Sequence, residues 1–188
     1  MHALCGRLPR AVFVKAFDLF TLIFFPVSCA SRATEDRFEY SKKNFEAEIS
    51  GYVNDKELSA IIQSRPGAGE NDPKLTVRFT SPESLEGITV TLLANGECSA
   101  RLGDVCADTN GAYGLIEPFI PLVSAGEIYS VKKNQDGSES VRICDENCDL
   151  IYVFEPNSTA PSRIYGTFSG NEIDIILKNF SFDFDFKK

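Results

Sequence analysis

The most constraining feature of this sequence is a run of alternating apolar and polar residues between Leu75 and Leu102. Apolar residues occupy every second position over three stretches, 75–80, 88–92 and 98–102. The loop SPESLEG separates the first two stretches, and Asn95-Gly96 separates the others with a pair that favours a tight hairpin with positive φ. Period-two alternation bounded by turn residues predicts three strands of an antiparallel meander with one buried face.

The same alternation recurs on both sides of this meander. It predicts strands near 45–51 and 58–62, joined by a turn at Asn54-Asp55. Further strands are predicted near 128–132, 141–143, 150–154, 164–168 and 173–177. The last one slips register by one residue at Lys178-Asn179 and continues as Phe180, Phe182, Phe184 and Phe186. Because such a slip would turn the apolar set to the other face, we predict a bulge there.

Between residues 107 and 126 the period changes to that of a helix. Leu115, Phe119 and Leu122 fall at helical spacings, Pro118 suits a first helical position, and Gly126 is a plausible end. A short helix that is apolar nearly all round is normally buried. The sequence therefore predicts a mainly β (α+β) fold: a curved antiparallel sheet or half-open barrel of about 8–10 strands, covered by one short apolar helix.

The N-terminus has the composition of an export signal. Arg7, Arg10 and Lys15 precede the apolar run 19–25, and small residues follow it. This order is typical of a secretory signal peptide, and the run is shorter than the roughly 20 residues of a membrane span. The alternative is a buried N-terminal helix.

Two kinds of processing fit this signal. Val27-Ser28-Cys29 resembles the end of a bacterial lipobox, in which the cysteine carries the lipid, whereas cleavage after Ala30 would release a secreted protein. We predict a lipoprotein-type signal over 1–29 with lipid attachment at Cys29, a flexible linker over 30–43 and a single β-rich domain over 44–188. The predicted location is extracytoplasmic and membrane-anchored, with secretion as the alternative.

Charge and composition exclude several function classes. The formal charge of −8 argues against a nucleic-acid partner, which requires a basic face. His2 is the only histidine and lies in the predicted signal, so the mature chain has no Ser-His or Cys-His pair for nucleophilic catalysis. Asp183 and Asp185 share one strand face, where carboxylates are more often solvated than catalytic. We predict no enzyme activity, no catalytic residues and no cofactor.

Four cysteines remain after the predicted signal, Cys98, Cys106, Cys144 and Cys148. In an exported protein they favour two disulfides, for which three connectivities exist. Cys144 and Cys148 could close across a tight turn, whereas Cys98 and Cys106 require the chain to fold back on itself. Free thiols are the alternative, and no usual zinc spacing is present, so no metal site is predicted.

Taken together, the signal ending near Cys29, the strand pair, the segment LTVRFTSPESLEGITVTL with its Asn-Gly hairpin, the apolar helix and the closing strands form a familiar pattern. This pattern resembles small uncharacterised lipoproteins of Gram-positive anaerobic bacteria and, more distantly, the lipoprotein-carrier fold of the LolA and LolB type. The resemblance covers nearly the whole mature chain. It implies an open half-barrel whose concave apolar face holds acyl chains, and it assigns no binding residues.

Three hypotheses for function follow, the third being a hydrolase that works without histidine. The first is a membrane-tethered, non-catalytic protein that binds a hydrophobic ligand or a lipoprotein-like partner, supported by the inward phenylalanines Phe119, Phe154 and Phe180 to Phe186. The second is a secreted structural or adhesive surface domain. The sequence gives no prediction of the oligomeric state.

Overall fold

The fold is one antiparallel sheet, seen in a computed structural model that describes residues 36–108, 110–124 and 126–182. The eleven strands within these ranges confirm the predicted fold class and exceed the upper end of the predicted 8–10 strands by one. The additional strand is β6, which is too short to show alternation. The strands are β1 Phe45–Val53, β2 Lys56–Ser64, β3 Pro73–Ser81, β4 Thr89–Leu93, β5 Cys98–Leu102, β6 Val105–Asp108, β7 Ile128–Lys133, β8 Glu139–Asp145, β9 Cys148–Phe154, β10 Arg163–Phe168 and β11 Asn171–Phe182.

Two meanders build the sheet. Strands β1 to β6 follow one another as neighbours, and so do β7 to β11, and the two halves join where β1 pairs with β11. In the described part of the chain β6 and β7 form the two free edges, so the curved sheet stays open. This is the half-open arrangement that the alternation predicted.

The core lies on the concave side, where every second residue of the central strands is buried. β9 shows the pattern best: Cys148, Leu150, Tyr152 and Phe154 are buried and the residues between them are half-buried. Each large apolar side chain removed from water in this way contributes about 1.5–3 kcal/mol.

The chain crosses from one meander to the other through a helical segment. α1 runs over Asn110–Ile116 and is followed by a 3₁₀ helix, Glu117–Leu122. The predicted short apolar helix over the sheet is thus confirmed, but its α-helical part begins before the predicted position. Pro118 and Pro121 lie in the 3₁₀ part, because proline has no N–H to donate and disfavours continuous α-helical bonding.

Residues 36–42 correct the prediction of a flexible linker over 30–43. Asp36–Lys42 is a 3₁₀ helix that places Phe38 and Tyr40 in the hydrophobic core. Arg37 fixes it from outside, since its guanidinium donates to Glu139 Oε2 at 3.0 Å and to the Ser158 carbonyl at 2.9 Å. The prediction of a linker rested on the charged neighbours of these two aromatic residues, which are buried in the core.

The predicted bulge in the last strand is confirmed. The β1–β11 register shifts between Glu46, opposite Ser181, and Glu48, opposite Lys178. Asn179 absorbs the additional length with a φ of +52°. Asparagine tolerates this left-handed conformation better than most residues.

Candidate functional site

An open pocket of about 330 Å³ lies at one end of the concave face. Four parts of the chain meet there: the β1–β2 turn, the loop after β3, the helical segment and the β10–β11 turn. The volume is at the lower end of the range for small-molecule sites, roughly 300–1,000 Å³. Among the described residues this pocket is therefore a candidate site for a small ligand.

The floor of the pocket is apolar and buried. Leu58, Phe79, Pro118 and Phe119 line it and are all buried. The rings of Phe79 and Phe119 meet edge to face with their centroids 6.0 Å apart, an arrangement that aromatic rings prefer. One ring comes from the sheet and the other from the 3₁₀ helix, so the floor is where these two layers join.

Half-buried apolar side chains form the wall above this floor. They are Val53 at the end of β1, Leu85 in the loop after β3, and Leu115 in α1. Two turns shape the loop: the Leu85 N–H donates to the Pro82 carbonyl at 2.8 Å, and the Ile88 N–H donates to the Leu85 carbonyl at 2.9 Å. Leu85 is thereby fixed as an apolar wall residue within a loop of polar composition.

The rim of the pocket is polar and exposed. Asn54 lies in the β1–β2 turn, and its side-chain amide donates to Asn171 Oδ1 at 2.8 Å while its Oδ1 accepts from the Glu172 N–H at 2.8 Å. Asn54 and Asp55 have φ values of +48° and +62°, as in a type I′ turn, which confirms the predicted turn. Lys56 completes the rim with an exposed ammonium. An apolar floor under a polar rim suits an amphiphilic molecule.

A second hollow, of about 220 Å³, lies against Tyr52, Asp55, Glu172 and Asp174. Arg163 binds the Asp174 carboxylate through two hydrogen bonds of 2.7 Å. These bonds hold the pKa of Asp174 below its ordinary value and keep the carboxylate charged. The arrangement is an exposed ion pair, and it offers no acid–base chemistry.

Several predicted site residues lie outside the described residues. These are the signal over 1–29 with its lipid attachment residue Cys29, and the acidic pair Asp183 and Asp185. Within 36–108, 110–124 and 126–182 no cluster of three or more potential metal ligands occurs. In the same ranges no helix has the length and apolarity needed to cross a bilayer.

The strand register argues against both local disulfides. Cys144 pairs with Asp149 and Asp145 pairs with Cys148, so the two cysteines of this hairpin point to opposite faces of the sheet. Cys98 is opposite Leu92 on β4, and Cys106 is opposite Arg101, three residues from Cys98, which again places the thiols on opposite faces. Cys98, Cys144 and Cys148 are free thiols in the structure. The prediction of two disulfides therefore has no support from either local pair.

We expect the two thiols of the β8–β9 hairpin to react at very different rates. Burial, reinforced by nearby Asp145 and Asp149, raises the pKa of Cys148 to about 11, and Cys144 is exposed. Only the thiolate reacts. With a pKa of about 11 instead of the ordinary 9.0, Cys148 has about 100-fold less thiolate near pH 8 than an ordinary cysteine. Timed alkylation of the native protein followed by peptide mass spectrometry measures both rates. Equal rates, or a disulfide-linked peptide containing both cysteines, would contradict this expectation.

The comparisons with known proteins find likeness only at the level of three-dimensional structure. No known family matches the sequence, and no curated protein matches it. An uncharacterised conserved protein from Thermus thermophilus is 14% identical, with a TM-score of 0.49 over 82% of this chain and 87% of that one. A Vibrio parahaemolyticus domain named for outer membrane lipoprotein sorting is 8% identical, with a TM-score of 0.45 over 82% and 92% of the two chains.

A LolA superfamily protein from Nitrosomonas europaea is also similar, at 11% identity and a TM-score of 0.41 over 81% of this chain and 94% of that one. The names of the Vibrio and Nitrosomonas proteins refer to lipoprotein sorting and to the LolA superfamily. Because these TM-scores are below 0.5, no property of either protein is transferred to this chain.

Only part of this pocket was predictable from the sequence. Of the phenylalanines proposed as ligand contacts, Phe119 lines the pocket, whereas Phe154 and Phe180 belong to an aromatic cluster with Phe38 and Tyr40. The sequence contained one further indication of the pocket: Leu85 is a single leucine within the polar loop SPESLEG.

Proposed function

We propose that this protein is an exported, lipid-anchored binding protein that takes a hydrophobic ligand into the pocket at the end of its curved sheet. The observation that carries the proposal is the gradient of polarity in the pocket, from a buried apolar floor to an exposed polar rim. A ligand with an alkyl part would bury that part against the floor, and burial contributes about 25 cal/mol for each Å² of apolar surface. Its polar end would stay in water beside Asn54 and Lys56.

The chemistry of the pocket favours binding over catalysis. Its floor contains no ionisable side chain, and its two charged lining residues, Lys56 and Glu57, are exposed at the rim. Many catalytic sites contain a buried acid or base with a shifted pKa, and none of the described residues that line this pocket is such a group. The alternative function, a structural or adhesive surface domain, would make no use of the pocket.

We expect Leu85→Asp to weaken binding of a fluorescent apolar probe, N-phenyl-1-naphthylamine, by at least about tenfold. The substitution places a carboxylate in the apolar wall, and a charge that loses water without a partner is strongly unfavourable. Fluorescence titration of the delipidated protein measures the dissociation constant.

Val131→Asp is the matched control. It introduces the same charge at a side chain that is 38% exposed on β7, outside the pocket lining. Both variants should remain folded by circular dichroism. Wild-type protein that fails to bind the probe at micromolar concentration would remove the proposal and favour the structural alternative.

The anchored location has its own test. Mass spectrometry of the mature N-terminus should find diacylglycerol on Cys29, in line with a lipobox at Val27-Ser28-Cys29. An unmodified N-terminus at Ser31 would mean ordinary cleavage and a secreted protein. Retention of the full chain inside the cell would refute export.

A further inference from the structure

We infer that the pocket accepts one alkyl chain of limited length, and that the Phe79–Phe119 pair sets the limit. This inference rests on the proposed function and specifies its ligand class: an amphiphile with a single chain, such as a fatty acid or a lysolipid. Three properties of the pocket support it: its volume, the packing of its floor and the position of its polar groups.

The volume of the pocket fits one chain. If a chain carbon occupies about the 30 Å³ that a water molecule takes in the liquid, the pocket volume of about 330 Å³ holds about eleven carbons. Two chains sharing the same space would each bury only about half as many carbons. A single chain therefore buries a longer continuous stretch of methylene groups in the pocket than either of two chains would.

The floor closes the pocket against the rest of the core. Phe79 is 2% exposed and Phe119 is 1% exposed, and their rings pack edge to face. Beyond them the register places Ala60 opposite Phe79, and Ile62 opposite Val77, in a continuous buried layer. A chain that reaches the rings cannot extend further unless one of them moves. Because Ala60 has a small side chain, loss of a ring would open space toward that layer.

The polar groups fix the direction in which the chain lies. Asn54, Lys56, Ser84 and Asn171 all lie at the mouth, and the buried floor residues are all apolar. A head group pushed to the floor would lose its water without gaining a hydrogen bond, which is costly. The terminal methyl group therefore points at the two rings, and the head group stays outside near the Lys56 ammonium.

Isothermal titration with straight-chain fatty acids of about 8 to 16 carbons, below their micelle concentrations, tests this inference. We expect a stoichiometry of one, and an affinity that rises about fourfold with each methylene group and stops rising near eleven carbons. Phe119→Ala should move this plateau to longer chains by about three carbons, because it removes a ring from the end of the pocket.

Leu115→Phe serves as the opposite variant, since it adds volume to the half-buried wall without emptying the core. It should move the plateau to shorter chains, and it keeps the test decisive if Phe119→Ala fails to fold. An affinity that still rises at the longest chain in the wild type, or a plateau that neither variant moves, would overturn the inference while leaving the proposed function intact. Absence of binding by every chain and by the naphthylamine probe would overturn both.

Discussion

Alanine at Gly166 or Gly51 should lower the free energy of unfolding by about 3–5 kcal/mol, a large part of the total stability of a domain of this size. Gly166 has a φ of +132° and Gly51 a φ of +153°, values that residues with a side chain rarely adopt. A Cβ at Gly166 would lie 2.1 Å from the Asp149 carbonyl oxygen, and one at Gly51 would lie 2.0 Å from the Asp174 carbonyl oxygen. In both cases the obstacle is the backbone of a neighbouring strand, which cannot rotate away.

These two glycines lie where the backbones of neighbouring strands approach closely. Gly51 is opposite Leu58 on one side and Ile175 on the other, and Gly166 is opposite Leu150 and Ile173. A glycine in a strand interior marks a sharp bend or a close approach of backbones. Gly51 lies only two residues before Val53 in the pocket wall. We therefore expect the Gly51 substitution to weaken binding of the naphthylamine probe as well as to lower stability.

Denaturation in urea, followed by circular dichroism, measures the effect. Gly67→Ala is the matched control, because a Cβ at Gly67 would meet no atom within 4 Å. Its free energy of unfolding should stay within about 0.5 kcal/mol of the wild type, as for most surface substitutions. If the Gly51 and Gly166 variants unfolded at the same urea midpoint as the Gly67 variant, the close approach of neighbouring backbones at these two glycines would be refuted.

The sheet was predictable because its signals are local. The alternation over 75–80 and 88–92 reports which face of a strand is buried, and the observed β3 and β4 occupy these stretches. The register slip before Phe180 likewise predicted the bulge at Asn179 from neighbouring residues alone. At Asn95-Gly96 the hairpin turn is present, but only Gly96 has positive φ, because the turn spans more residues than a two-residue loop.

Apart from Phe119, the pocket was not predictable because its parts are distant in sequence. Val53, Leu85 and Leu115 each belong to a different part of the chain. Pairing of β1 with β2 and β11, pairing of β2 with β3, and packing of the helical segment on the sheet bring them to one end. The same applies to Phe38 and Tyr40. Their neighbours are charged, so local composition indicates a linker, whereas the space that they fill is defined by strands far along the chain.

Substitutions of Tyr40 test whether the 36–42 segment is part of the core. Two of them should change stability in opposite directions. Tyr40 is 1% exposed, its ring lies 5.8 Å from those of Phe45 and Phe180, and its hydroxyl has no hydrogen-bond partner among the described residues. Tyr40→Ala should destabilise the protein by about 3–5 kcal/mol, because it leaves a cavity in the aromatic cluster. Tyr40→Phe keeps the ring and removes a buried hydroxyl without a partner, so it should stabilise by about 1 kcal/mol.

Tyr152 provides the matched control for the hydroxyl. It is equally buried, but its hydroxyl donates to the Pro121 carbonyl at 3.0 Å. Tyr152→Phe removes that bond and leaves the carbonyl without its donor, so it should destabilise by about 1 kcal/mol. Urea denaturation near pH 7 compares the three variants. A loss of less than about 1 kcal/mol in Tyr40→Ala, well below the cost of an aromatic cavity, would show that the 36–42 segment is a linker after all.

Alkaline pH should separate the same variants through a second effect. Burial raises the pKa of Tyr40 above its ordinary value of 10.0, so the folded state holds the neutral phenol more tightly than the unfolded chain does. Stability from this group is therefore complete below about pH 10 and declines above it, as the unfolded tyrosine loses its proton first. Tyr40→Phe has no such group and should lose less stability than the wild type between about pH 10 and 11. An identical alkaline loss in both proteins would mean that water reaches the Tyr40 hydroxyl, and that the 36–42 segment does not close this end of the core.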